Sequence, residues 1–208
     1  MSPVRLVHLV VIGAALGVPA TSAQTQPAAA ALTHVEGAVY LDDQSVGSLP
    51  RDVVLRDEAT VRTTDGRAVL ALKRGGVLAL AEHTVVRVLA NGRNDFNHVQ
   101  VLEGTAVIIS GTSTPLVSCR SDVRLSASGA FRFDVEPTHT DGGVTCRFRV
   151  YDGSAAVPLV SVTSALRSGQ AMKLDPRCGD FLQTETFAPE QLDDFDRWSR
   201  QHAAVGPR

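Results

Sequence analysis

Six histidines, at His8, His34, His83, His98, His139 and His202, are the side chains best suited to hold a metal or carry a proton. No two of them stand four apart, and none adjoins a Glu in the arrangement that builds a helical zinc site. His83 and His98 could meet across neighbouring strands, but a lone His pair makes a poor metal site, and the six read as surface histidines. Serine is frequent, yet no Gly-x-Ser-x-Gly elbow that would raise a nucleophile occurs. Gly75-Gly76 and Gly142-Gly143 lack the following Lys-Ser/Thr and helix start that phosphate binding needs. Glu103 and Asp152 are the residue types of a glycosidase pair; each, however, precedes a Gly in a duplicated motif, which gives it a structural place. Asp42-Asp43 and Asp193-Asp194 lack the spaced oxygen ligands of a calcium loop. No catalytic residue, cofactor or metal is therefore expected.

Three cysteines remain, Cys119, Cys146 and Cys178. They lie too far apart in sequence for a zinc cluster, which leaves disulfide formation outside the cytoplasm as their chemistry. If strands near 119–125, 130–135 and 146–151 form a meander, Cys119 and Cys146 share one end of it. That pairing is favoured, with Cys119–Cys178 as the alternative. The N-terminus fits export. Arg5 precedes an apolar run from Leu6 to Val18, and Thr21-Ser22-Ala23 offers a small-residue cleavage point, so 1–23 reads as a signal peptide whose removal leaves no membrane span. The Gln-, Pro- and Ala-rich stretch 24–32 reads as a flexible linker. A chain of 208 residues suffices for one domain with its own core. Aromatics at 5% leave that core to Val, Leu, Ala and a few Phe, and a net charge of −2 speaks against nucleic acid, whose binders are basic.

The elements that must carry these side chains are strands. Val99-Gln100-Val101-Leu102-Glu103-Gly104-Thr105-Ala106-Val107 is echoed by Phe148-Arg149-Val150-Tyr151-Asp152-Gly153-Ser154-Ala155-Ala156. Each is an alternating run, an acid-Gly pair, a hydroxyl residue and a second apolar run, the pattern of a hairpin whose Gly takes positive φ. Thr64-Asp65-Gly66-Arg67, Lys73-Arg74-Gly75-Gly76 and Asn91-Gly92 give further turn signals, and such signals recur every eight to twelve residues, as in a sandwich or stacked-hairpin fold. Gly37, Gly66, Gly104, Gly153 and Gly169 are the expected structural turns. The tail differs: Pro189-Glu190-Gln191 opens a helix with Pro near its first position, and Leu192, Phe195 and Trp198 form a stripe that docks on the strands or meets a partner. The expected fold is all-β, with many short antiparallel strands in 33–178 and one amphipathic helix in 186–203.

Val35-Glu36-Gly37-Ala38-Val39 opens a longer pattern. Val61-Arg62-Thr63-Thr64-Asp65-Gly66-Arg67-Ala68, Leu70-Ala71-Leu72, Gly75-Gly76-Val77-Leu78-Ala79-Leu80 and Val101-Leu102-Glu103-Gly104 follow. Gly129-Ala130-Phe131-Arg132-Phe133-Asp134-Val135, Arg149-Val150-Tyr151-Asp152-Gly153 and Gly169-Gln170 complete it. In order and spacing, residues 33 to 175 resemble the extracytoplasmic FecR domain, named for a regulator of bacterial iron uptake. The tail Phe195-Asp196-Arg197-Trp198 resembles the ending of some exported proteins with that domain. The resemblance implies an all-β periplasmic domain used for protein contact in signalling. In the family's regulators this domain receives a message from an outer-membrane receptor, and a cytoplasmic segment ahead of a single span acts on a sigma factor. Only a few residues stand before the apolar run here, so the expectation is the sensor or scaffold half alone. The expected function is a non-enzymatic periplasmic or secreted module that binds a protein partner at the cell envelope. The alternative is a polysaccharide- or peptidoglycan-binding module, which needs an exposed platform from Tyr40, Tyr151 or Trp198.

Overall fold

The computed structural model describes residues 30–48, 53–73, 75–90, 97–112, 115–119, 121–137, 144–158, 163–174 and 183–204. Residues 1–23, read as a signal peptide, the expected turn at Asn91-Gly92, and His8, His139 and Cys178 lie outside the described residues. Among the described residues fifteen strands follow one another: β1 (Ala30–Leu41), β2 (Gln44–Ser45), β3 (Val53–Leu55), β4 (Ala59–Leu72), β5 (Gly76–Leu80), β6 (Val85–Ala90), β7 (Asn97–Ser110) and β8 (Leu116–Ser118). Then come β9 (Asp122–Leu125), β10 (Gly129–Pro137), β11 (Val144–Asp152), β12 (Ser154–Pro158), β13 (Thr163–Arg167), β14 (Gln170–Leu174) and β15 (Gln183–Thr186), and one helix, α1 (Asp194–Ala203), closes the chain. The class is all-β, and all the strands belong to one hydrogen-bonded sheet. Every pairing is antiparallel except that of β7 with β8.

The sheet is creased, and glycines mark the creases. The first half of β4 pairs with β6 and the second half with β5. The first half of β7 likewise pairs with β6 and the second with β5. The fold line therefore runs across Gly37 and Gly66, which face each other in β1 and β4, through residues 81–84 between β5 and β6, and through Gly104 in β7. Two buried threonines staple it. Thr63 Oγ1 donates to the Ala81 carbonyl at 2.5 Å, and Thr84 Oγ1 donates to the Thr105 carbonyl at 3.1 Å. A second fold line crosses residues 126–128, Gly153 and Ser168-Gly169, where β9, β12 and β13 give way to β10, β11 and β14. The echoed segments are the same device: Gly104 and Gly153 both sit at φ +85°, and a hydroxyl lies beneath each, Thr84 accepting from the Thr105 N–H and Ser126 from the Ser154 N–H, both at 3.1 Å.

The acid-Gly pairs are thus not hairpin tips. Glu103-Gly104 and Asp65-Gly66 lie inside continuous strands, and Asp152-Gly153 joins β11 to β12, which do not pair with each other. Positive φ at glycine serves a bulge or bend as well as a turn. Gly169 does occupy a turn, at φ +79° between β13 and β14.

Both layers bury one face in a shared core, in which Leu70, Leu78, Ile108, Phe131 and Phe148 meet Val61, Val86, Val99, Val123 and Leu166. Ala30 and Leu32 are 5% and 4% exposed in this core, so β1 begins inside the stretch read as linker. β15 likewise extends the sheet past residue 178. Cys119 and Cys146 form a disulfide with Sγ atoms 2.07 Å apart and a sequence separation of 27. A bridge closing a loop of that length contributes about 3.5 kcal/mol by constraining the unfolded chain. The helix starts later than Pro189 suggests: Asp193 is its N-cap and Asp196 completes a capping box, each carboxylate accepting from the other residue's N–H.

Candidate functional site

The outer face of the β7–β10–β11–β14–β15 layer is charged, and strand alternation is the cause. On β10 the side chains of Phe131, Phe133 and Val135 enter the core, so Arg132, Asp134 and Glu136 point the other way; on β11 Cys146, Phe148 and Val150 point in and Arg147 and Arg149 point out. Register aligns them in rows. Thr105, Asp134, Arg147 and Lys173 are successive cross-strand partners, and Arg132, Arg149, Ala171 and Glu185 form the next row. All of these but Ala171 line an open groove of about 640 Å³. Asp134 accepts from Arg132 Nε at 2.8 Å, from Arg149 at 2.9 Å and from Thr105 Oγ1 at 3.0 Å, and Arg147 pairs with Glu185. The groove thus presents an array of paired charges of both signs, with the Thr105 hydroxyl held on Asp134.

One wall of the groove adjoins α1, which lies across the outer face of β4, β5 and β7. Phe195 and Trp198 bury there against Val69, Ala79 and Val107, while Leu192 is half-buried ahead of the N-cap. Arg67 lies over both rings, 5.9 Å from Phe195 and 5.6 Å from Trp198. Ionic clasps hold the two ends. At the first, Arg132 reaches Asp193 and, at 3.2 Å, Asp196, and the Tyr151 hydroxyl donates to Asp196 at 2.8 Å. Burial, and then the bond to Asp196, pushes the Tyr151 phenol up to about 12. Burial opposes the Arg132 charge, but Asp134, Asp193 and Asp196 outweigh it and hold the guanidinium above its ordinary value. At the second clasp, Trp198 Nε1–H donates to the two Glu36 oxygens at 3.1 and 3.2 Å.

Both clasps rest on depressed carboxylates. The His34 contact and then the Trp198 bond hold Glu36 below the usual range. Burial pushes Asp193 up, but the Asp196 N–H and Arg132 prevail and lower it. A carboxylate depressed in the folded state adds stability above its unfolded value, and that stability is lost as pH falls through the folded one. Docking of α1 is therefore expected to persist on acidification to about pH 4 and to weaken below it. Trp198 is the only tryptophan in the chain, so its emission maximum reports this directly; a red shift completed at higher pH would contradict the clasp assignment.

Other residues singled out in the sequence have local roles. Asp42 accepts from the Thr60 N–H at 2.8 Å, and Asp194 pairs with Arg197. His83 faces Asp65, and His98 contacts Ser118 at 2.6 Å, so those two histidines do not meet. Glu103 and Asp152 are exposed at separate fold lines. Reasoning from sequence missed the Arg132–Asp196–Tyr151 network; the signals available were the alternation Phe131-Arg132-Phe133-Asp134-Val135 and the Asp193-x-x-Asp196 capping box. Among the described residues no helix is long and apolar enough to cross a membrane.

No protein-family model matches the chain, and no curated protein matches it. Solved structures that share the fold include two crystal structures, each of a "putative anti-sigma factor" from Parabacteroides distasonis. The one at 1.65 Å resolution is 18% identical with a TM-score of 0.52, over 64% of this chain and 61% of its own. The one at 2.50 Å is 19% identical with a TM-score of 0.50, over 62% and 60%. This chain thus matches about three-fifths of each neighbour's length, and the likeness is one of fold.

Proposed function

We propose that this chain is a FecR-like, non-enzymatic module that binds a protein partner at the cell envelope and acts there as a sensor or scaffold. The observation that carries the reading is the groove across β10, β11 and β14, where charges of both signs stand in register on a rigid sheet. Complementary charge arrays give partner selection and orientation. The disulfide fits an oxidising compartment outside the cytoplasm. The two anti-sigma-factor structures add fold-level support for a regulatory role. The alternative, a polysaccharide-binding module, lacks its platform: Tyr151 and Trp198 are 5% and 9% exposed, and Tyr40 carries Arg62 over its ring at 4.6 Å.

The test is capture from envelope extract with the wild-type chain and with Arg147→Glu/Lys173→Glu. The wild type is expected to recover a discrete protein that the variant loses by at least tenfold, with the melting temperature of the variant within a few degrees of wild type. Equal capture by both would remove the groove from the interface. Recovery only on insoluble cell wall would favour the polysaccharide reading.

A further inference from the structure

A bulge in β1 brings together three metal-ligating side chains that the sequence keeps far apart. The pairing of β1 with β4 shifts between Leu32 and His34, so the parity of the strand changes. Ala30 and Leu32 point into the core before the bulge and Val35 and Val39 after it, which turns His34 and Glu36 onto the outer face under α1. His202, in the last turn of α1, reaches the same place. His34 Nε2 lies 2.9 Å and His202 Nε2 3.6 Å from Glu36 Oε1, and one ligand atom from each residue falls within 4.8 Å of the others. A tetrahedral ion with bonds of about 2.0–2.1 Å spaces its ligand atoms by about 3.4 Å. The set can close round such an ion with side-chain shifts on the order of 1 Å.

The outer contacts prepare His202 and Glu36, whereas His34 Nε2 donates to Glu36 Oε1 and releases that proton when an ion takes its place. His202 Nδ1 lies 2.9 Å from the Trp198 carbonyl oxygen. A carbonyl only accepts, so Nδ1 carries the proton and Nε2 presents its lone pair. Trp198 also donates to Glu36, so one packed residue orients two of the three ligands. The side chains of His34, Glu36 and His202 are 38%, 47% and 25% exposed, which leaves a path for an ion and a water ligand. Two imidazoles and a carboxylate suit zinc rather than magnesium or calcium.

We infer that His34, Glu36 and His202 form a site for a divalent ion of the zinc class, with water in the fourth position, and that the ion ties the C-terminal end of α1 to β1. This inference does not depend on the partner-binding reading. The test is zinc titration by calorimetry of the chelator-treated chain carrying Cys178→Ser, which removes the third cysteine as a competing ligand. One equivalent is expected to bind at micromolar concentration or tighter, and a hundredfold excess over the dissociation constant is expected to raise the melting temperature by about 5–10 °C. His34→Ala and His202→Ala should each weaken binding at least a hundredfold, and His83→Ala/His98→Ala should leave it unchanged. Cobalt(II) gives a second readout on the unmutated triad, a visible absorption band reversed by EDTA. Absence of zinc binding at millimolar concentration, or one-equivalent binding that survives both triad variants, would overturn the assignment.

Discussion

Gly104→Val is expected to lower the melting temperature by roughly 8–16 °C, the consequence of a loss of about 4 kcal/mol in a chain of this size. Two costs combine. The backbone at φ +85° lies where a β-branched residue is strained by about 1–3 kcal/mol. A Cβ there would also sit 2.4 Å from the His83 carbonyl oxygen, 2.5 Å from Thr84 Oγ1 and 2.6 Å from Thr84 Cα. Two of those atoms are backbone on the fold line, so relief requires opening the crease that Thr63 and Thr84 staple. Gly153→Val meets the equivalent obstacle at the second fold line, 2.5 Å from the Ser128 carbonyl oxygen and 2.6 Å from Ser126 Oγ. Gly47→Ala serves as the control: its nearest neighbour is Ser45 Oγ at 3.8 Å, and its effect should stay within about 0.5 kcal/mol. Thermal melts of the three variants decide the matter. Equal melting of Gly104→Val and wild type would mean that the crease is not fixed at this residue.

The same glycines show how far the sequence carries. An acid-Gly pair between alternating runs announces positive φ and a change of direction, and both hold at Gly104 and Gly153. It does not say whether the flanking runs pair with each other or pass on to different neighbours. That is decided by residues far away, such as Val85, which faces Glu103, and Ala130, which faces Asp152. The all-β class and the aromatic stripe of α1 depend on local patterning and were legible; Cys119 and Cys146 do pair, but not through the expected meander, because β9 pairs with β8 and β12 and not with β10. The start of the helix was legible in principle, because Asp193 and Asp196 make a capping box, but Pro189 gave a competing signal five residues before Asp194. Leu32 was hidden by composition: an Ala-rich segment looks like linker until Leu55 and Leu70 supply a core for it. The metal-ligating triad was not legible. His34 and Glu36 share a face by simple alternation, yet only the bulge before His34 turns that face outward, and only the docking of α1 brings His202 to it.

Arg132→Met is expected to destabilise the docked helix by about 3–5 kcal/mol, the range for removing one partner of a buried ion pair. Met keeps most of the aliphatic stem, so the loss falls on the charge. Asp196 is 2% exposed and its Oδ1 has no hydrogen-bond partner, while Oδ2 receives the Tyr151 hydroxyl, the Asp193 N–H and the Arg132 guanidinium. Without Arg132 that carboxylate stays buried with no cation to offset its desolvation. Lys at this position should recover little, because one ammonium cannot span Asp134, Asp193 and Asp196 as the guanidinium fork does. Adding Asp196→Asn to Arg132→Met should restore part of the loss, since the buried charge disappears with its partner, and the non-additivity measures the coupling. Trp198 emission follows the helix and far-ultraviolet dichroism follows the sheet. The expected pattern is a red-shifted emission with the strand signal retained, because the main core lies on the opposite face of the sheet from α1. If emission stayed unshifted in Arg132→Met, the clasp would not be what holds α1, and Phe195 and Trp198 alone would account for its docking.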